Sequence, residues 1–306
     1  MSNASLVDLA LPIAALLKSE TATVHDAVEQ SPGAVWLASG QLDREEYIRF
    51  LMMLWHVYDT LEAALEKHSS HPVIQSTHNP SLLSRAPNIS ADLSYLLHVD
   101  HSAWTSHPMH VALMASPPPA LAEYLARLQR AANSDDPSAL VAHAYVRYLG
   151  DLSGGQEIRM KIAKAYGLSD GCGTTFYEFA PLEGSGLATR GDMKKIKDRF
   201  RQRLDAAIGD DAALKLTILQ EAILAFELTG GIFASLRPPS VPSKNMQEED
   251  SKLVFSAEPQ ERTVQISSVI AVVAAMSLAH FLLVVGGFTG DKGLAKLEAI
   301  RDWFIR

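Results

Sequence analysis

The chain has 306 residues, of which 47% are apolar and 20% charged, and its formal net charge is -8 at neutral pH. That length supports one large or two small domains with a sizeable core, and the acidic balance excludes the basic footprint of a general nucleic-acid binder. The single cysteine, Cys172, rules out an internal disulfide and fits a reducing compartment such as the cytosol; standing in a Gly-rich stretch, it reads as a loop thiol.

The N-terminal stretch MSNASLVDLALPIAALLKSE is no secretory signal, because it lacks a basic n-region and Asp8 and Pro12 interrupt its apolar run. The next segment, Lys18–Gln30, reads as a helix that places His25 and Glu29 one turn apart. A metal-bound histidine usually donates its second ring N–H to a carboxylate or carbonyl, so Glu29 could orient His25 as a ligand. Spacing alone favours an ordinary surface or core histidine over a ligand. Asp43–His68 carries apolar residues at helical spacing behind an acidic first turn. Ser116–Ala132 opens with prolines, as helix starts often do. Asp136 or Ser138 is the candidate N-cap of the following helix.

That helix is expected to run unbroken over Leu140–Leu168, although Gly150, Gly154 and Gly155 stand in its interior. Each glycine costs roughly 1 kcal/mol relative to alanine in a helix. Gly150 and Gly154 share a face that has no Cβ atoms, which suits a close helix crossing or a flat ligand laid on bare backbone. A glycine cluster also lets a helix kink. Asp151 sits among Tyr145, Arg147 and Tyr148, with Arg147 one turn before it, so these side chains could form a polar network. A loop follows from Gly167. The segment Arg190–Ile208 then carries Lys197 and Arg201 at i and i+4, either a solvated basic face or a pair that holds carboxylates or phosphates. Asp211–Leu236 is the last predicted helix of the domain.

No segment before residue 236 alternates with period two, so the expected fold is all-α: a compact multi-helix domain over residues 1–236. Residues 237–263, rich in Pro, Ser, Gln and Glu, read as a flexible linker. Between Arg262 and Asp291 the only ionisable side chain is His280. A bilayer core of roughly 30 Å needs about 20 apolar residues in a helix, and residues 264–290 meet that requirement. With only residues 291–306 behind it, this segment is expected to be a tail anchor, and the short tail places Leu294, Leu297, Ile300, Trp303 and Phe304 roughly on one face.

Three stretches, VHDAVE (Val24–Glu29), LWHVYDTLEAALE (Leu54–Glu66) and above all AHAYVRYLGDLSGGQ (Ala142–Gln156), together resemble heme oxygenase of the eukaryotic membrane-bound type. The resemblance spans about Leu16 to Leu236 and extends to the hydrophobic tail. It implies heme b as both cofactor and substrate, and O2 and electrons from NADPH through a flavoprotein reductase. The products are biliverdin, CO and ferrous iron. His25 then corresponds to the iron ligand and Glu29 to its hydrogen-bond partner. Gly150 and Gly154 correspond to the distal heme surface. Asp151 matches the distal carboxylate that acts through ordered water, and Tyr58, Tyr124 and Arg147 match its polar network. Lys18, Lys197, Arg201 and Tyr145 match the propionate-holding residues, and Phe226 and Phe233 the pocket aromatics. The implied address is the endoplasmic reticulum membrane with a cytosolic catalytic domain, the mitochondrial outer membrane being the alternative.

Four features depart from the family pattern: Ala22 in place of a second basic residue on the proximal helix, Thr229 where an Asn often stands, the pair Gly230–Gly231, and a long loop over Gly167–Met193. Ala22 and Thr229 are the features that would fit a heme binder without turnover. A tail-anchored helical scaffold without cofactor is a further alternative, in which the glycines serve packing alone.

Overall fold

The computed structural model describes residues 7–100 and 103–240, all helix, turn and loop, with no strand among them. The predicted anchor at 264–290, the tail at 291–306 and all but the first four linker residues lie outside the described residues.

The chain begins with three short helices, α1 (Ile13–Glu20), α2 (Ala22–Glu29) and α3 (Pro32–Ser39). The single helix expected over Lys18–Gln30 is therefore interrupted at Thr21. There the hydroxyl donates to the Leu17 carbonyl at 2.6 Å, a local bond that competes with the regular ladder and bends helices. Next come α4 (Arg44–Lys67), α5 (Pro72–Thr77), α6 (Pro80–Leu83) and α7 (Ala86–Leu97). On α4 the buried set Tyr47, Phe50, Leu51, Leu54, Val57, Tyr58, Leu61 and Leu65 repeats at three and four residues, producing one apolar stripe. Each large side chain so buried contributes about 1.5–3 kcal/mol relative to exposure. The stripe packs on α7 and on α9 (Pro119–Ala132), which follows the short α8 (Pro108–Ala115).

The glycine-bearing segment forms two helices, α10 (Leu140–Asp151) and α11 (Gly155–Tyr166), instead of the one expected. Leu152–Gly154 turn between them. The Ser153 and Gly154 amides both donate to the Gly150 carbonyl at 3.0 Å, while the Ser153 hydroxyl donates to the Leu149 carbonyl at 2.7 Å. Two acceptors that would continue the ladder are thus used locally, and the glycines absorb the bend. Asp136 caps the 3-10 turn Pro137–Ala139 ahead of α10 by accepting from the Ser138 amide.

The loop after α11 contains a 3-10 turn at Thr175–Tyr177 and ends at α12 (Arg190–Ile208), whose start is fixed by a reciprocal cap between Thr189 and Asp192. The final helix of the domain, α13 (Ala212–Ala234), is long and apolar enough to cross a membrane by composition. It packs instead against α1, α2, α3, α9 and α10 as the central helix of the domain. Gly230 and Gly231 make that position possible. A Cβ added to Gly230 would stand 3.2 Å from Val28 of α2, and one added to Gly231 would stand 3.1 Å from Ala120 of α9. The unusual glycine pair is therefore the contact by which α13 fits between two neighbours.

Candidate heme site

Two groups of the predicted residues come together on helices that both pack against α13. The first lies on α2, a helix with no buried residue. His25 is partly exposed, and its ring meets Phe226 of α13 edge-on with centroids 5.6 Å apart. Its Nδ1 lies 3.5 Å from Asp26 Oδ1 and 3.8 Å from Glu29 Oε2. Carboxylates on the Nδ1 side favour the tautomer with a proton there, leaving the Nε2 lone pair as the ligating atom. Val24 and Val28 are half-exposed on the same helix, so α2 offers an apolar, incompletely covered surface around an available imidazole.

The second group lies on α10. Every residue from Leu140 to Leu149 is buried, but Gly150 is exposed, and a Cβ added there would meet nothing within 4 Å. That open space answers the choice between the two readings of the glycines at this position. No neighbouring helix presses on Gly150, so its missing side chain is not explained by helix packing. Beside it, Asp151 is 8% exposed and accepts a hydrogen bond from the Tyr58 hydroxyl of α4. Arg147 Nε donates to the same Tyr58 oxygen at 3.2 Å, and its guanidinium lies over the Tyr58 ring at 5.0 Å. The predicted pairing of Arg147 with Asp151 thus runs through Tyr58. Tyr124 of α9 is buried and feels the charges of Arg147 and Asp151, while Thr229 of α13 lies against its phenol.

Electrostatics set the state of this network. Burial pushes the Asp151 carboxyl up to about 6, against the pull of Arg147, the Tyr58 hydrogen bond and Arg85. Burial also raises the Tyr58 phenol well above its ordinary value, so it remains a donor. Two residues not singled out from the sequence belong here. Arg85, ahead of α7, is 5% exposed and is felt by both Asp151 and Glu62. Glu62, one turn after Tyr58 on α4, takes the Arg85 amide at 2.5 Å, and burial lifts it to about 7. Helical spacing from Tyr58 could have located Glu62; nothing local marks Arg85.

The predicted propionate residues are more scattered. Lys197 is buried, and its amine donates to the Ser153 hydroxyl at 3.1 Å, on the turn beside Gly154. Arg201, one helical turn further on, pairs with Asp198 at 3.4 Å. Lys18 is exposed on α1, and Tyr145 is buried on α10. Phe233 stacks on Phe50 at 5.8 Å, two turns of α13 beyond Phe226. A cavity of about 300 Å³ is lined by Glu62, Ala144, Tyr148 and Phe200 among others and includes neither His25 nor Gly150.

These residues fit a heme: an imidazole whose second nitrogen faces carboxylates, a helix with an uncovered glycine backbone, and a buried acid beside that glycine. Comparison with known proteins agrees. The family described as heme oxygenase matches residues 11–235. The chain belongs to the heme oxygenase family. It is 33% identical over 247 residues to heme oxygenase 1 of Nostoc sp., covering 81% of this chain and 92% of that protein. It is also 33% identical over 253 residues to heme oxygenase 1 of Gallus gallus, covering 82% and 78%. Among solved structures, heme oxygenase-2 of Synechocystis sp. in complex with heme and NO superimposes with a TM-score of 0.64 at 32% identity, covering 73% of this chain and 84% of that one. The heme oxygenase of Leptospira interrogans gives 0.63 at 31% identity, covering 74% and 100%. The all-helical architecture expected from the sequence is that of this enzyme family, and membership makes the chain an oxidoreductase acting on heme.

Proposed function

We propose that the chain binds heme b between α2 and α10 and opens its ring oxidatively to biliverdin, CO and ferrous iron, using O2 and electrons delivered from NADPH by a flavoprotein reductase. The observation that carries this reading is the exposed backbone at Gly150 directly beside the buried Asp151–Tyr58–Arg147 network. Bound heme supplies the iron at which O2 is reduced and the porphyrin that is oxidised.

The protein's own residues do the rest. His25 ligates the iron through Nε2, with Glu29 on the other ring nitrogen. A neutral imidazole lacks the electron push of a thiolate, which favours O–O cleavage. Gly150 and Gly154 present backbone to the distal face and set how closely the ring approaches α10. Asp151 can take up and give back a proton close to neutral pH, since its carboxyl ionises at about 6, and Tyr58, Tyr124 and Arg147 orient it. Lys18, Lys197, Arg201 and Tyr145 hold the propionates at the edge, and Phe226 and Phe233 flank the pocket. Residues 264–290 anchor the chain in the endoplasmic reticulum membrane or the mitochondrial outer membrane, with the catalytic domain cytosolic.

The test is to load the purified full chain with hemin, add NADPH, a flavoprotein reductase and air, and record absorption spectra. Loss of the Soret band with growth of a biliverdin band, and CO trapped by ferrous globin, is the expected result. His25→Ala is expected to lose the native Soret spectrum and turnover together. A Soret band that depends on His25 but persists through reduction in air would favour the heme binder without turnover. No hemin binding by the intact chain would end the heme reading.

A further inference from the structure

Asp92 lies on α7, outside every group of residues assigned above, and is 0% exposed. A carboxylate in that position needs donors, and it has three. Its Oδ1 accepts from the Thr175 amide at 2.8 Å and from the Thr175 hydroxyl at 2.8 Å, and its Oδ2 accepts from the Phe176 amide at 2.8 Å. The other side of the same turn is held by Asn88, which donates to the Thr175 carbonyl at 3.1 Å, and by Arg85, which donates to the Phe176 carbonyl at 3.3 Å. The 3-10 turn Thr175–Tyr177 is thereby held by α7 and the preceding Arg85 through the N–H and C=O groups of both Thr175 and Phe176.

The turn carries one side chain toward the distal network. The Phe176 ring is 2% exposed and meets the Tyr58 ring edge-on, with centroids 5.5 Å apart and planes at 68°. Arg147 lies over the Tyr58 ring at 5.0 Å and the Tyr148 ring lies 6.2 Å away, so Phe176 is one of three neighbours that restrict rotation of the phenol. A tyrosine has two rotatable side-chain bonds, and a small swing of the ring moves its hydroxyl away from Asp151. What holds Phe176 in place therefore supports the hydrogen bond from Tyr58 to Asp151, alongside Arg147 and Tyr148 of α10.

We propose that Asp92 is a positioning residue for the distal acid, acting through the Thr175–Phe176 backbone, the Phe176 ring and Tyr58 to hold Asp151 in its hydrogen bond. Its catalytic consequence rests on the function proposed above; the positioning itself does not. Burial lifts the Asp92 carboxyl to about 6 even with three donors, and any apolar replacement would leave the Thr175 and Phe176 amides unpaired, so the turn depends on this side chain.

The experiment uses the full chain, heme-free, with its eight tyrosines labelled at Cζ, the Tyr58 signal being assigned with Tyr58→Phe. Arg85, Arg147, Glu62, Asp92, Tyr124, Tyr148 and Tyr177 all contribute charge or titrate around Tyr58 and Asp151. The Tyr58 Cζ chemical shift is therefore followed as pH is varied, and the titration step that reports Asp151 is identified by its loss in Asp151→Asn. Asp92→Asn and Phe176→Leu are each expected to remove at least half of that step's amplitude at Tyr58. Phe176→Leu keeps the backbone amide that Asp92 binds, so it decides the matter if Asp92→Asn does not fold. Full amplitude at an unmoved midpoint in either folded variant overturns the proposal. In the hemin-loaded chain, Asp92→Asn should slow ring opening about 3–10-fold with hemin affinity within about twofold. If the chain takes no hemin, the proposed function falls while the tyrosine signal still decides the role of Asp92.

Discussion

Replacing Asp151 by Asn should make the heme-free protein more stable at neutral pH and less so by comparison in acid. The carboxyl ionises at about 6 in the folded chain against an ordinary 3.8, because burial disfavours its charge. A shift of about two units corresponds to roughly 3 kcal/mol. Between those two values the folded state binds more protons than the unfolded one, so wild-type stability falls as pH rises through that window. Asparagine does not titrate and can still accept the Tyr58 hydroxyl through its carbonyl oxygen. Loss of the negative charge also deprives Arg147 of an attraction that raises its own ionisation, but that attraction is already contained in the carboxyl's ionisation at about 6 and is not counted again. The stability of Asp151→Asn relative to wild type should therefore increase by about 2 kcal/mol between pH 4.5 and 7.5. In a domain of this size that is a relative gain of roughly 4–8 °C in Tm. Denaturant unfolding of the heme-free proteins at three pH values measures it directly. A difference that stays flat or shrinks with rising pH would refute the claim that burial of the charged carboxylate governs this site. The same variant should bind hemin and lose most of its ring opening, so that stability and activity move in opposite directions.

Three further outcomes are expected. Gly150→Val should leave the heme-free fold intact, since nothing lies within 4 Å of the new Cβ, yet weaken hemin binding or slow turnover at least tenfold; calorimetry and a hemin titration separate the two effects. Glu221→Gln should destabilise the protein at neutral pH, because burial raises that carboxyl but the hydrogen bonds and charges of Arg127 and His143 overcome it and hold it at about 2. Its contribution is present above pH 4.5 and is lost as pH falls toward 2, so the variant and wild type should converge in acid unfolding curves. Removal of residues 264–306 should release the chain from membranes, and resistance of the full chain to alkaline carbonate extraction is the matching control.

The sequence made legible those features that depend on neighbours in the chain. The apolar stripe of α4, the proline start of α9 and the basic face of α12 all follow from helical spacing. His25, Gly150 and Asp151 stood out because each lies in a local pattern that has a chemical use. The breaks at Thr21 and at Leu152–Gly154 were not legible as breaks, because they arise from hydroxyls that donate to carbonyls four residues back, a bond that a helical period neither forbids nor announces. The loop after Gly167 read as unstructured for a similar reason. Its order comes from Asp92, Asn88 and Arg85, some 80 residues earlier in the chain. Gly230 and Gly231 likewise acquire meaning only from the two helices that press against them.

Two buried carboxylate centres in this fold show why residue type alone does not separate structure from chemistry. Glu221 is enclosed by Arg127 and by His143, which donates at 2.7 Å, and its charge is firmly held. Asp151 also has an arginine and a hydroxyl nearby, but Arg147 reaches it through Tyr58, and the carboxyl is left ready to take up a proton near neutrality. Glu62 and Asp92 are pushed in the same direction, to about 7 and about 6, Glu62 beside Arg85 and Asp92 on the turn whose Phe176 carbonyl Arg85 binds. A core selected for stability alone would replace such a group of charges with apolar side chains, usually at no loss. The raised carboxyl nearest the exposed glycine is Asp151, where a proton taken up close to neutral pH can be passed to a ligand on α10. The position of this unstable charge, next to bare backbone, is the strongest structural argument that it serves a reaction and not the fold.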